Sequence, residues 1–407
     1  MNVLVLTHYY PPEIGAAQRR LGALVARWRS AGAQVKVVAP LPHYPAGRRL
    51  PGQRGVYRGR TGPAGETVVH VPFLPTTRGG PLKFADQVVA AVSSLPPSLA
   101  GTRPDVVLAS LPGLPTLVPA LAARRRWRTP LVLEMRDAWP DLLSESGVAG
   151  GRLGRSVAAA VARAQREADA VVTVSRDFGA VLASRGVPAA RLHWMSNGID
   201  LDAVPLLPAP SAGDRSRPLR VLYLGTHGVS QQLGTAVEAL ARLGASRVEA
   251  RFIGHGTEKP ALEALAASLG APVRFEAPTT GAGLWQAYAW ADTCLVPLRP
   301  WPSFRHTVPS KLYEIMAAGR HVTACVDGEA AAIVRSARAG VVVPPGDIDA
   351  LARALVALSE RRADLDVGPG PREWVEENAA YDSIATRYLA LLEATASRPA
   401  RVGVAAA

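Results

Sequence analysis

Lysine is nearly missing from this chain of 407 residues: only Lys36, Lys83, Lys259 and Lys311 carry it. Cysteine is scarcer still, with Cys294 and Cys325 alone. Two cysteines exclude a disulfide framework or a thiolate metal cluster. Each adjoins an apolar run, so both read as small buried hydrophobes of a reducing compartment. Long hydrophobic runs are also absent. A bilayer span needs ~20 apolar residues, and the longest candidate, 88–100, is broken by Pro96-Pro97. No leader is visible, because Met1-Asn2 runs straight into VLVL, so a cytoplasmic location is expected. HExxH, CxxC and GxSxG do not occur, which removes support for metal-assisted or serine hydrolysis. Nor does any repeat of solenoid length occur.

What is present points to a packed enzyme-sized protein. Hydrophobic residues make up 48% and charged residues 19%, proportions of a globular chain too long for one ordinary core, so two domains are expected. The net charge of +13 is almost entirely arginine, with one dense run, Arg124-Arg125-Arg126-Trp127-Arg128. Such a balance suits anionic small substrates or the inner face of an anionic membrane, as a peripheral contact. No nucleic-acid motif accompanies it, and no nucleic-acid partner is expected.

Continuous apolar runs alternate with helical patterns from the first residue. The strand candidates are 3–8, 34–40, 105–110, 129–135 and 169–175 in the first half. In the second half they are 219–225, 248–254, 272–277, 292–298, 321–326 and 339–345. This alternation predicts an α/β fold of two doubly wound, Rossmann-like domains. The domains are expected at 1–202 and 219–376, joined by the Pro-rich linker 203–218. A helix within 377–397 should pack back toward the first domain, ahead of a tail at 398–407. In open α/β sheets ligands lie beyond the carboxyl ends of the strands, so two such domains should face an interdomain cleft.

At those ends the second domain is rich in glycine. LYLGTHG brings Gly225, Thr226, His227 and Gly228, and FIGHG brings Gly254 and Gly256. Taken singly, each is as compatible with a plain tight turn as with a phosphate loop. The fourth strand runs into VPLRPWPSFRHTVPSK, which carries Arg299, Arg305, His306, Thr307, Ser310 and Lys311 into a short helix. A cation-rich loop feeding a helix N-terminus fits a diphosphate. Lys311 and Glu314 share one face of that helix; an exposed i,i+3 ion pair is the plainer reading. In the first domain, His8, Glu13 and Gly15 follow the first strand. Arg136, Asp137, Trp139 and Asp141 cluster after another; a satisfied Arg–Asp salt bridge is the alternative there.

Taken together these residues resemble the GT-B glycosyltransferases, specifically the large retaining family 4 that includes sucrose synthase and bacterial polysaccharide glycosyltransferases. The resemblance covers nearly the whole chain. It rests on HYYPPEIGAAQRR (8–20), RDAWPD (136–141), MSNGID (195–200), LYLGTHG, FIGHG, PSKLYEIMAAG (309–319) and GEAAAIVRSARAGVVVPPGD (328–347). It implies a GT-B fold and transfer of a hexosyl or N-acetylhexosaminyl unit from a sugar nucleotide, a UDP-sugar first and a GDP-sugar second. The acceptor would be a lipid-linked saccharide or a small natural product. No cofactor or metal is implied.

By the same resemblance Glu314 takes the ribose, and Ser310 and Lys311 take the diphosphate. Gly15, Gly225, Thr226, His227, Gly228, Gly254, Gly256, Arg305 and Leu312 border the nucleotide, and His306 and Thr307 the donor sugar. Arg136 or Asp137 would stand near the reacting sugar, with His8, Glu13 and Trp139 toward the acceptor. Two departures stand out: His306 replaces the first of the family's two glutamates, and THGVSQQLG lacks the cations many members carry there. Two alternatives accompany the transferase: a sugar-nucleotide 2-epimerase of the same fold, and a catalytically inert partner subunit.

Overall fold

The computed structural model describes residues 1–13, 15–44, 47–53, 55–75, 81–111, 114–136, 151–210 and 216–398. It divides into two units: Met1–Gly198 together with the chain from Tyr381, and Ile199–Ala380.

The first unit is built on strands β1 (Asn2–Leu6), β2 (Gln34–Pro40), β3 (Gly59–Thr61), β4 (Thr67–Val71), β5 (Val106–Leu111), β6 (Leu131–Met135), β7 (Ala170–Thr173) and β8 (Leu192–Trp194). They lie in the order β3-β4-β2-β1-β5-β6-β7-β8. Every pairing is parallel except β3 with β4. Alternate residues of β1 bury on opposite faces, as the pleat requires. Val3 and Val5 pack with Leu24, Val25 and Trp28 of helix Ala16–Ser30, and with Ile384 and Tyr388 of helix Tyr381–Ala396. Leu4 and Leu6 face Leu117, Ala120, Phe178 and Leu182 on the other side.

Polar ties fix the last helix to this unit. The Trp28 indole donates to the Ala385 carbonyl at 3.2 Å, and Arg27 bonds Asp382. Arg20, 2% exposed, reaches from the first helix to Glu134 on β6 and to the carbonyls of Met195 and Ser196. Buried charge of this kind is tolerated only when paired and hydrogen-bonded.

The second unit carries β9 (Leu219–Leu224), β10 (Val248–Ile253), β11 (Val273–Glu276), β12 (Thr293–Pro297), β13 (His321–Cys325) and β14 (Gly340–Val343). All are parallel, in the order β11-β10-β9-β12-β13-β14. This is the doubly wound nucleotide-binding order, whose switch point falls between β9 and β12. One face packs on helices Ala282–Trp290, Ser310–Ala317 and Gly328–Ser336, the other on Gly234–Leu243, Lys259–Leu269 and Ile348–Glu360.

The segment 203–218, expected as a linker, is bound along the second unit wherever it is described. Leu207 N–H donates to the Ala318 carbonyl. Arg372 and Arg320 take the carbonyls of Val204 and Pro208, and Arg217 forks onto Asp292. Asp292 also accepts from Arg362 and from the Arg220 amide, which explains its depressed pKa despite burial.

Candidate active site

The carboxyl ends of β9 and β12 bring together the residues the sequence singled out in the second unit. Helix Ser310–Ala317 begins at Pro309, and no side chain caps it. Its first amides and its dipole therefore point outward, an arrangement suited to an anion. Lys311 folds back from this helix over β9. Its Nζ lies 3.9 Å from the centre of the Tyr223 ring. A Cβ added at Gly225, where φ is 145°, would lie only 2.7 Å from that Nζ. Gly225 is thus the residue that admits the ammonium. Burial pulls the Lys311 pKa down to about 7, with the Glu314 carboxylate opposing the shift.

Lys311 and Glu314 do not form an ion pair. Glu314 instead accepts the Tyr288 hydroxyl at 2.6 Å through Oε1. Among the described residues no acceptor takes the Lys311 ammonium, and no donor takes Glu314 Oε2. Two poised, unpaired functional atoms on one helix face are left available to a ligand.

The glycines of FIGHG have a packing reason. A Cβ at Gly254 would overlap the Gly225 carbonyl oxygen, and one at Gly256 would overlap the backbone of His227. Here the 225–227 and 254–256 turns press together; His227 N–H donates to the His255 carbonyl at 2.8 Å. The Tyr223 hydroxyl closes the first turn on the Thr226 carbonyl at 2.6 Å, and Gln231 Oε1 accepts from Gly228 N–H. Arg299 clamps the cation-rich loop to the glycine turn, through its side chain to Val229 O and its amide to Ser230 O.

Leu312 lies fully in the core, and its N–H donates to the Pro309 carbonyl, so its side chain anchors the helix. Arg305 is exposed and faces Asp327 at 3.5 Å, a surface pair worth little. Ser310 and Thr226 are exposed, and His306 and Thr307 partly buried, on the same two loops.

A family model described as a glycosyl transferase 4-like domain matches residues 15–198, and one described as glycosyl transferases group 1 matches 218–361. The chain belongs to the family 4 GT-B glycosyltransferases. It is 26% identical over 347 residues to an Escherichia coli protein provisionally described as the colanic acid biosynthesis glycosyl transferase WcaI, covering 78% of this chain and 82% of that one. Sucrose-phosphate synthase of Thermosynechococcus elongatus shares its fold with a TM-score of 0.74 at 18% identity, over 97% and 98% of the two chains. Anabaena HepE, solved with UDP-glucose, does so with a TM-score of 0.69 at 18% identity, over 97% and 100%.

In the first unit the transferase gathers a second polar group at the carboxyl ends of β1 and β2. Glu13 is 5% exposed and accepts the amides of His43 and Tyr44 at 2.7 and 2.8 Å, and Gln18 Nε2 at 3.2 Å. It therefore organises the 43–44 turn. Gly15 precedes helix Ala16–Ser30 in extended backbone, so its φ does not demand glycine. His8 meets Tyr9 and His43 edge-on. The Tyr9 phenol is pushed up to about 12 by burial and by the carboxylates of Glu13 and Asp86, while Arg136 opposes. Asp137, Trp139 and Asp141 lie outside the described residues.

Sequence reasoning passed over Tyr223 and Tyr288, which hold Lys311 and Glu314. Both sit inside apolar runs and read as core. The depth of His227 was equally hidden: it is 0% exposed, among Tyr223, Phe252 and Phe275, and neither ring nitrogen has a partner.

Burial holds His227 neutral, with a pKa near about 4, and does the same to His321. Between the folded value and the unfolded one near 6.5, the unfolded chain binds more protons. Stability is therefore full above that range and falls as pH drops through it, by about 2 kcal/mol for each histidine at pH 5. Urea midpoints compared at pH 7.5 and 5 should show this loss. His227→Leu should remove its share while leaving stability at pH 7.5 unchanged or raised, since an apolar replacement abolishes two unsatisfied buried atoms.

Proposed function

We propose that the enzyme is a retaining transferase that moves a hexosyl unit from a UDP-sugar to a lipid-linked saccharide. The observation that carries the donor assignment is the Lys311 ammonium seated against Gly225 at the switch point, beside an uncapped helix N-terminus and a Glu314 oxygen without a donor. A diphosphate answers the first two groups and a ribose hydroxyl the third. The choice of UDP draws on HepE, solved with UDP-glucose, and the saccharide acceptor on the colanic acid role given to WcaI. A net charge of +13 favours an acceptor at an anionic membrane surface.

Chemically, the bond between the anomeric carbon and the diphosphate oxygen breaks, and positive charge grows on the sugar. Negative charge grows on the departing diphosphate, where Lys311 and the helix amides stabilise it. The acceptor oxygen attacks from the face the leaving group vacates, and its proton passes to a phosphate oxygen. Configuration at the anomeric carbon is thereby kept without a protein base.

Glu314 and Tyr288 supply the nucleoside end. Ligands that bind only the folded chain stabilise it by mass action, by about 2.7 kcal/mol at a hundredfold excess over Kd, and so raise its melting temperature. In a thermal-shift screen, UDP and UDP-hexoses should stabilise the chain, GDP- and dTDP-sugars less. Equal inertness of all three would remove the donor assignment. Formation of an epimer from the sugar nucleotide alone, with no acceptor added, would replace transfer by epimerisation.

A further inference from the structure

The first unit buries a second set of donor atoms near the carboxyl ends of β1 and β2. His8 leaves the end of β1, His43 follows β2, and Asp86 stands on helix Pro81–Ser93. All three are buried, and one ligand-capable atom from each lies within 4.8 Å of the other two. We propose that His8, His43 and Asp86 form a site for a divalent transition cation of the Zn²⁺ type, with the remaining coordination positions open to water or to an oxygen ligand.

Asp86 carries the argument furthest. Its carboxylate is only 4% exposed. One oxygen accepts the Leu74 amide at 2.8 Å, and no other donor or cation among the described residues meets the group. A buried carboxylate is costly unless it is paired or binds a metal.

His43 is oriented as a ligand. Its Nδ1 lies 2.9 Å from the Leu41 carbonyl, which fixes the tautomer with the proton on Nδ1 and leaves Nε2 as the lone-pair nitrogen. A backbone carbonyl in that role is the usual outer partner of a metal-bound imidazole. Its ring is further locked by stacking on Phe73, with centroids 4.4 Å apart. Leu74 N–H performs the same service for Asp86. Two imidazoles and one carboxylate suit zinc, which binds nitrogen and oxygen at about 2.0–2.2 Å. Tetrahedral ligands at that radius stand about 3.3 Å apart, so a bound ion would draw these atoms together from their present spread.

The test uses the untagged full chain, first stripped with a chelator, and ZnCl₂ as the probe. Calorimetric titration should show one saturating equivalent, and CoCl₂ should give the intense visible absorption of a four- or five-coordinate ion. Asp86→Asn preserves shape and removes the charge, so it should weaken zinc at least tenfold. His43→Ala should do the same, and circular dichroism on each variant confirms its fold. His193→Ala, on β8, should bind as the parent does. No saturable binding, or equal affinity in the parent and the Asp86→Asn variant, would overturn the site. Neither readout depends on the sugar nucleotide, so failure here leaves the donor assignment standing.

Discussion

Lys311→Ala is expected to lower kcat/KM for transfer by about two to three orders of magnitude while the chain remains folded. The size follows from what is lost: the sole cation seated against Gly225 at the switch point among the described residues. The loss should fall on kcat more than on KM, because charge on the diphosphate peaks as the anomeric bond breaks. Folding should survive because, among the described residues, Lys311 makes no hydrogen bond or ion pair that its removal would orphan. Burial lowers its pKa to about 7, so without an anion the lysine is in part a neutral amine at physiological pH.

A diphosphate must draw that amine back to its charged form. Nucleotide binding above pH 7 should therefore take up protons, visible as a dependence of the calorimetric enthalpy on the buffer's ionisation heat. Turnover in Lys311→Ala equal to the parent's would remove the residue from the mechanism. Glu314→Gln is the milder companion: it keeps an acceptor for Tyr288 but weakens the hold on a ribose.

Gly254→Ala should destabilise the protein by about 4 kcal/mol or more, among the largest effects of any single methyl in the chain. Two penalties combine. The position sits at φ 152°, where an L side chain is strained, and the new Cβ collides with the Gly225 carbonyl oxygen, which is backbone and cannot swing away. Gly244 separates the two causes. Its φ is also positive, at 71°, but nothing lies within 4 Å of an added Cβ. Gly244→Ala should therefore cost only about 1–3 kcal/mol, the strain of a positive φ with extended ψ alone. Urea unfolding of both variants measures the difference. Equal costs would show that the two turns separate without penalty.

Much of the architecture was readable because buried parallel strands print themselves as continuous apolar runs. The runs at 3–8, 105–110 and 219–225, for example, became β1, β5 and β9. The strands left unread were β3, β4 and β8. Gly59–Thr61 and Leu192–Trp194 are three-residue strands at the two edges of the first sheet, too short for any periodicity. Thr67–Val71 was passed over although, at five residues, it is as long as β1 and β13.

In the second unit, the placing of Gly225, Lys311 and Glu314 at the ends of neighbouring strands was legible from the sequence. The reason for Gly254 and Gly256 was not, since it lies in the approach of two turns that are distant in sequence. The same holds for His43 and Asp86, which no spacing rule joins to His8.

The polypeptide leaves the first unit after Gly198 and re-enters it at Tyr381. Ile199 pairs with Ala380, and its N–H donates to the Ala379 carbonyl at 2.8 Å, so the second unit begins and ends at one point. Gly198 in turn lies so close to Tyr381 that a Cβ there would strike the ring. In genetic terms the second unit is a cassette: one uninterrupted stretch of sequence set between two parts of its host.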